Sequence, residues 1–197
     1  GKPRHVDMSK VKYPNYDQPL EVYPIDTGRL ANTLKIAATN ANWGRKLPKG
    51  RGLGLAVHRS FLAYVAAAVE VEVSQAGKLR IPRIEMAIDC GLYVNKDRVI
   101  SQMEGAAVFG TGLAMLGEIT AKDGAIVEGN FMDHLMPRIN EAPVETRVHI
   151  VENDEPPAGV GEPGVPPIAP ALTNAIFAAT GKRIRELPLS KADLSWS

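Results

Sequence analysis

A single cysteine, Cys90, excludes an intrachain disulfide and says nothing decisive about compartment. Net charge is almost absent as well. At +1, with Arg and Lys dispersed along the chain, there is no general electrostatic pull toward nucleic acid. No apolar stretch is long enough to span a bilayer, because the longest alanine-rich run, Phe61 to Val73, is interrupted by Glu70 and Glu72. A signal peptide is not visible, although Gly1 is no native start unless something before it was removed. Histidine clusters are missing too: His5, His58, His134 and His149 lie far apart, with no pair at i, i+3 or i+4 and no cysteine nearby. That excludes a protein-ligated metal site of the usual spacing. The run Gly50-Arg51-Gly52-Leu53-Gly54 is not a dinucleotide fingerprint, since no strand precedes it and no helix follows.

What is present describes a soluble globular chain of one domain or two small ones. It has 197 residues, 45% of them apolar and 23% charged, which is enough for a sizeable core. Residues 1–25 are rich in Pro, Tyr and Lys and read as an extended arm or linker. Asp26 or Thr27 can cap a helix through Leu30, Leu34, Ala37 and Ala38 that ends at Trp43-Gly44. A basic loop, Arg45 to Gly52, leads into three strand-like runs, Leu53 to Arg59, Tyr64 to Ser74 and Leu79 to Asp89, the last two joined by a hairpin loop at Ser74–Lys78. Pro82 requires an edge or a bulge in its strand. The alternation predicts an antiparallel sheet with one wet face.

Asp97 to Ile119 reads as a helix despite Gly105, Gly110 and Gly112, each of which weakens it by about 1 kcal/mol relative to alanine. Close backbone approach is the usual return for that cost. An irregular stretch from Ala125 to Pro143, a strand from Val144 to Val151 and an apolar helix from Ile168 to Thr180, with Gly181 as its C-cap, complete the chain. The predicted class is α+β: a mainly antiparallel sheet packed by about three helices.

The most informative stretch is Gly159-Val160-Gly161-Glu162-Pro163-Gly164-Val165-Pro166-Pro167. One carboxylate stands among residues that let backbone approach a ligand or fix its direction, just ahead of a buried helix. Together with Asp89-Cys90-Gly91-Leu92-Tyr93-Val94-Asn95 and Gln102-Met103-Glu104-Gly105, this loop resembles the C-terminal part of the molybdenum-binding subunit of the xanthine dehydrogenase family. Its isoquinoline oxidoreductase and membrane-associated aldehyde dehydrogenase large subunits are the most similar branch. The resemblance runs from Arg29 to Leu187 and includes Trp43-Gly44, Leu47-Pro48, Gly50-Arg51-Gly52, Ala56-Val57-His58 and Glu141-Ala142-Pro143.

The resemblance implies a molybdopterin-binding C-terminal lobe over residues 26–190, followed by a tail at 191–197. It implies a molybdenum hydroxylase acting on an aldehyde or N-heteroaromatic substrate, with water as oxygen source and Glu162 as catalytic general base beside the metal. A carboxylate partly desolvated there would have its pKa raised toward the working pH. Gln102, expected at the start of its helix, would hydrogen-bond the pterin or its pyrophosphate end. Gly159, Val160 and Gly161 would present backbone groups to the same cofactor, molybdenum-molybdopterin in its cytosine dinucleotide form. Glu104 reads as a structural ion-pair or hydrogen-bond partner, Cys90 as a buried small residue, and His58 and His149 as satisfied sheet residues. His134 could approach substrate. Implied partners are an N-terminal lobe carrying the family's glycine-rich pterin loops, an iron–sulfur small subunit and a cytochrome c electron acceptor, with no nucleic acid. The isolated chain is expected to be folded, inactive and free of molybdenum, and its surface around Gln102, Gly110 and Glu162 to be an open, partly apolar groove. The contrasting expectation is a stand-alone assembly module without cofactor.

Overall fold

The computed structural model describes residues 2–197. A helix, α1 (Thr27–Asn40), is capped by Asp26, whose side chain accepts from the N–H groups of Gly28 and Arg29. Three long strands follow, β1 (Arg51–Ser60), β2 (Ala63–Val73) and β3 (Leu79–Asp89), paired antiparallel in sequence order. Helix α2 (Lys96–Met115) comes next, starting from an Asn95 cap. A two-strand ribbon, β4 (Ala121–Lys122) and β5 (Ala125–Ile126), interrupts a long irregular stretch. Then β6 (Glu145–Ile150) adds to the sheet beside β3, giving the order β1-β2-β3-β6. Helix α3 (Ile168–Thr180) ends at Gly181, in the left-handed conformation at φ 77°. The class is α+β with three helices and a mainly antiparallel sheet, as the sequence pattern predicts; β6 departs from it by running parallel to β3.

The expected wet face of the sheet does not exist over β2 and β3. One face packs on α3 and α2 through Val65, Val69, Ile84, Met86, Met103, Leu172 and Ile176. The other packs on α1 through a smaller, alanine-rich cluster of Ala37, Ala41, Leu53, Ala66, Ala68 and Ala87. The charged residues that made the pattern alternate are paired across strands on the α1 side. Glu70, 6% exposed, meets Arg45 at 2.6 Å, Arg51 at 3.2 Å and Arg83 at 3.6 Å. Glu85, 1% exposed, meets His149 at 2.7 Å, Arg83 at 3.4 Å and Arg147 at 3.7 Å. Alternation reports which face a residue takes, and a covered face tolerates charges that neighbouring strands neutralise.

Two glycines of β1 let α3 lie directly on the strand. A Cβ on Gly52 would stand 2.7 Å from the amide nitrogen of Ala179, and one on Gly54 would stand 2.9 Å from the carbonyl carbon of Asn174. The glycine run that resembles a nucleotide loop is therefore a helix–strand contact. Pro82 sits at a β-bulge, where the β2–β3 register slips between Glu70 and Glu72 and β3 carries Ile81 and Pro82 opposite Val71. The arm and the tail are both docked. Tyr64 Oη donates to the Pro24 carbonyl and accepts from the Asp26 N–H, Arg59 donates to Asn15, and the Trp196 indole donates to the Val73 carbonyl.

Candidate functional site

Three segments meet at one end of the sheet. The β1–β2 connection is a two-residue turn, Phe61-Leu62, closed by the Ser60–Ala63 pair. Against it lies the chain leading to α3, with the Gly159 N–H donating to the Phe61 carbonyl at 2.9 Å. A Cβ on Gly159 would stand 2.8 Å from Phe61 Cβ, so glycine is what permits this approach. Further along, Gly164 lies against α2, where its Cβ would stand 2.7 Å from Ala106. Between these contacts a groove of about 380 Å³ is lined by Ser60, Phe61, Gln102, Gly105, Ala106, Phe109, Gly161, Glu162, Val165 and Pro166.

The loop that carries Glu162 is tied down along its length. Leu92 donates to the Glu155 carbonyl at 2.9 Å, Ala158 to Cys90 at 2.8 Å, and Tyr23 Oη to Pro157 at 3.0 Å. Behind it, Arg29 grips Asp89 with two hydrogen bonds of 2.9 and 2.6 Å, and Asn153 adds a third at 2.9 Å. Burial alone would raise the Asp89 pKa, but the hydrogen bonds from Arg29 and Asn153 outweigh it and hold this carboxyl below the usual range. After Glu162, the Val165 N–H returns to the Glu162 carbonyl at 3.0 Å, and Ile168 begins α3. The carboxylate thus stands at the start of a fixed turn.

Glu162 and Gln102 line the same groove, both exposed, and neither side chain has a hydrogen bond or ion pair among the described residues. Partial desolvation of Glu162 is therefore not provided by this wall alone. Gln102 is not at a helix start: α2 begins at Lys96, and Gln102 lies in its second turn on the groove side. Gly161 also lines the groove, with nothing within 4 Å of where its Cβ would be. Val160 is half-buried and packs on the core. Gly159 adjoins the groove without lining it: its N–H is engaged by the Phe61 carbonyl, and its own carbonyl accepts no hydrogen bond among the described residues. Of the α2 glycines, Gly105 opens onto the groove, while Gly110 is buried under Ile168 and Gly112 under Pro137. Gly110 is thus a helix–helix contact and no part of the groove surface.

Glu104 is exposed and makes no ion pair or hydrogen bond among the described residues, so the expected structural partnership is not made. Cys90 is 1% exposed, and burial followed by the nearby Asp89 charge pushes its thiol up to about 11. That makes it an inert core residue at neutral pH. His149 bonds Glu85, whereas His58 is exposed on β1 without a partner among the described residues. His134 lines an adjoining apolar cavity of about 450 Å³ with Val108, Phe109, Leu113 and Met136, and does not reach the groove of Glu162. Among the described residues no three His, Cys, Asp or Glu side chains gather as metal ligands, and no helix is long and apolar enough to cross a membrane.

Ser60 and Phe61 were not singled out by the sequence pattern. The gap between the first two strand runs marks a turn there, but Phe-Leu lacks the Gly or Asn that announces a two-residue hairpin.

Residues 26–143 match the family described as the molybdopterin cofactor-binding domain. The chain belongs to this family. It is 33% identical over 168 residues to isoquinoline 1-oxidoreductase subunit beta of Brevundimonas diminuta, covering 83% of this chain and 21% of that protein. It is 30% identical over 172 residues to a membrane-bound aldehyde dehydrogenase (pyrroloquinoline-quinone) of Gluconacetobacter polyoxogenes, covering 84% of this chain and 22% of that protein. Among solved structures, the aldehyde oxidoreductase of Desulfovibrio gigas is similar at a TM-score of 0.56 and 26% identity, covering 64% of this chain and 14% of that one. The chain thus spans about a fifth of the length of the curated relatives it matches. Several relatives carry xanthine dehydrogenase names, in agreement with the family that the Glu162 loop and the Gln102 segment resemble.

Proposed function

We propose that the groove is one wall of a molybdopterin site in a molybdenum hydroxylase, with Glu162 as its general base. The observation that carries this reading is that Glu162 and Gln102, distant in sequence, line one groove. The residues fit the cofactor. A flat polar heterocycle needs amide donors and acceptors and backbone walls free of side chains. Gln102 offers a free amide, and Gly105 and Gly161 leave open space where a Cβ would project. Gln102, the backbone of Val160 and Gly161 and the Gly159 carbonyl would hold the group. Bound there, it supplies the two-electron redox chemistry that no side chain performs.

Glu162 then does the proton work. It accepts the proton that a water-derived oxygen gives up while adding to the electron-poor carbon of an aldehyde or N-heteroaromatic substrate. Phe61, Phe109 and Val165 form the apolar part of the groove and exclude water once an occupant covers it. Covering also desolvates the carboxylate and improves it as a base. The complementary wall comes from an N-terminal lobe, and electrons leave through an iron–sulfur partner. Phe131, Met132 and Ile139, at 82%, 86% and 96% exposure, are apolar surface suited to such a lobe. They also favour an assembly role, which is compatible with catalysis by the whole enzyme.

The test is Glu162→Gln in the complete enzyme. Turnover is expected to fall about 10²–10⁴-fold, the usual contribution of a positioned base. Molybdenum content should stay equal to that of the parent. A variant that keeps more than about a third of the parental rate at equal metal content would remove Glu162 from the base role. Metal analysis of the parent separates molybdenum chemistry from the quinone named for one relative.

A further inference from the structure

Ser60 is the last residue of β1, and side chains along a strand alternate between faces. Gly52 and Gly54 lie beneath α3, so Ala56, His58 and Ser60 share the face on which α3 packs. At its end Ser60 is one of the residues that line the groove. The residue is 6% exposed, and its hydroxyl oxygen is buried without a hydrogen-bond partner among the described residues. A buried, unpaired hydroxyl is costly, and folded chains rarely leave one on the wall of a cavity without use. Its staggered rotamers give the oxygen a choice of positions at the groove wall.

The turn that places Ser60 there is itself under strain. Phe61 and Leu62 both have positive φ, 49° and 69°, in a region where bulky L-residues are unfavourable. Such conformations persist when their surroundings over-determine them. Here the Tyr16 ring lies 5.2 Å from the Phe61 ring, and the Gly159 N–H bonds the Phe61 carbonyl. The same clamp therefore fixes Ser60 relative to the loop carrying Glu162.

We propose that Ser60 is a further cofactor-binding residue, its hydroxyl hydrogen-bonding the polar edge of the group seated against Gln102. This rests on the reading of the groove as a molybdopterin wall. The hydroxyl, as donor or acceptor, suits a ring nitrogen, a ring carbonyl or a phosphate oxygen equally well.

The experiment uses the complete enzyme and three forms: parent, Ser60→Ala and Gln102→Ala. Each holoenzyme is dialysed in dilute urea, and released molybdenum and pterin are followed by elemental analysis and pterin fluorescence. The melting temperature of each cofactor-free form is measured alongside. For Ser60→Ala, release is expected to be roughly fivefold faster, the worth of a neutral hydrogen bond. Its cofactor-free melting point should be unchanged or raised, because an unpaired buried hydroxyl has been removed. A melting point several degrees below that of the parent would show that the hydroxyl has a partner within the protein, and would overturn the proposal. So would parental release from Ser60→Ala while Gln102→Ala releases faster, an outcome that leaves the groove reading standing. If neither variant changed release, the groove would not hold the cofactor and the proposal would fall with it.

Discussion

Replacing Gly52 by alanine should loosen the whole α3 side of the protein. The new Cβ would stand 2.7 Å from the Ala179 amide nitrogen, and the Ala175 carbonyl is nearer still, whereas ordinary contact begins at 3.4 Å. The helix must therefore retreat by at least 0.7 Å, the difference between those two distances. A radial gap of about 0.5–1 Å forfeits a quarter to a half of the dispersion well. Ile168, Leu172 and Ile176 of α3 are fully buried, at 0% exposure. Burial of each is worth about 1.5–3 kcal/mol, so the expected loss is roughly 2–3 kcal/mol. For a chain of this length that corresponds to a melting point lower by roughly 5–10 °C. Urea and thermal unfolding of Gly52→Ala measure it, with Gly129→Ala as control, since a Cβ there meets nothing within 4 Å. The control should stay within about 0.5 kcal/mol of the parent. Equal stability of Gly52→Ala and the control would refute the close-approach argument.

Two further outcomes follow from the groups behind the groove. Asp89 has a folded pKa below its ordinary 3.8, so its contribution is complete above that value and is lost as pH falls through the lower, folded one. Urea midpoints should hold steady above about pH 4 and drop below it, while Asp89→Asn should start lower and drop less steeply; equal slopes in that acid window would contradict the Arg29–Asp89 linkage. Cys90, buried with its thiol raised to about 11, should resist alkylation at pH 8 until the protein is unfolded, and rapid labelling of the native form would show that this segment opens.

The parts of this fold that were legible in the sequence are those encoded locally. Leu79–Asp89 and Ile168–Thr180 are bounded by turn and capping residues that act on their own neighbours, and the Pro82 bulge follows from one missing N–H. The direction of β6 and the covering of both sheet faces depend on which distant segments meet, and no local pattern records that. Gln102 illustrates the same limit. Its presence in the groove follows from the motif, but Lys96 and Asn95, not the glycines, decide where its helix begins. Ser60 and Phe61 stayed hidden because their turn uses bulky residues held by tertiary contacts with Tyr16 and Gly159.

One strand direction has a consequence for how this groove can be assembled at all. Because β6 runs with β3, both release the chain at the same edge of the sheet, β3 toward α2 and β6 toward the Glu162 loop, and β1 ends there at Ser60. Open sheets gather their working loops at the carboxyl ends of strands in this way. An antiparallel β6 of the same six residues would have delivered its loop at the opposite edge, about 20 Å off at ~3.3 Å per residue. Carboxylate and amide would then belong to different surfaces, and no substitution at either position could reunite them. Side chains here can be exchanged to reshape the groove, while the meeting place itself is a property of chain direction and is closed to point mutation.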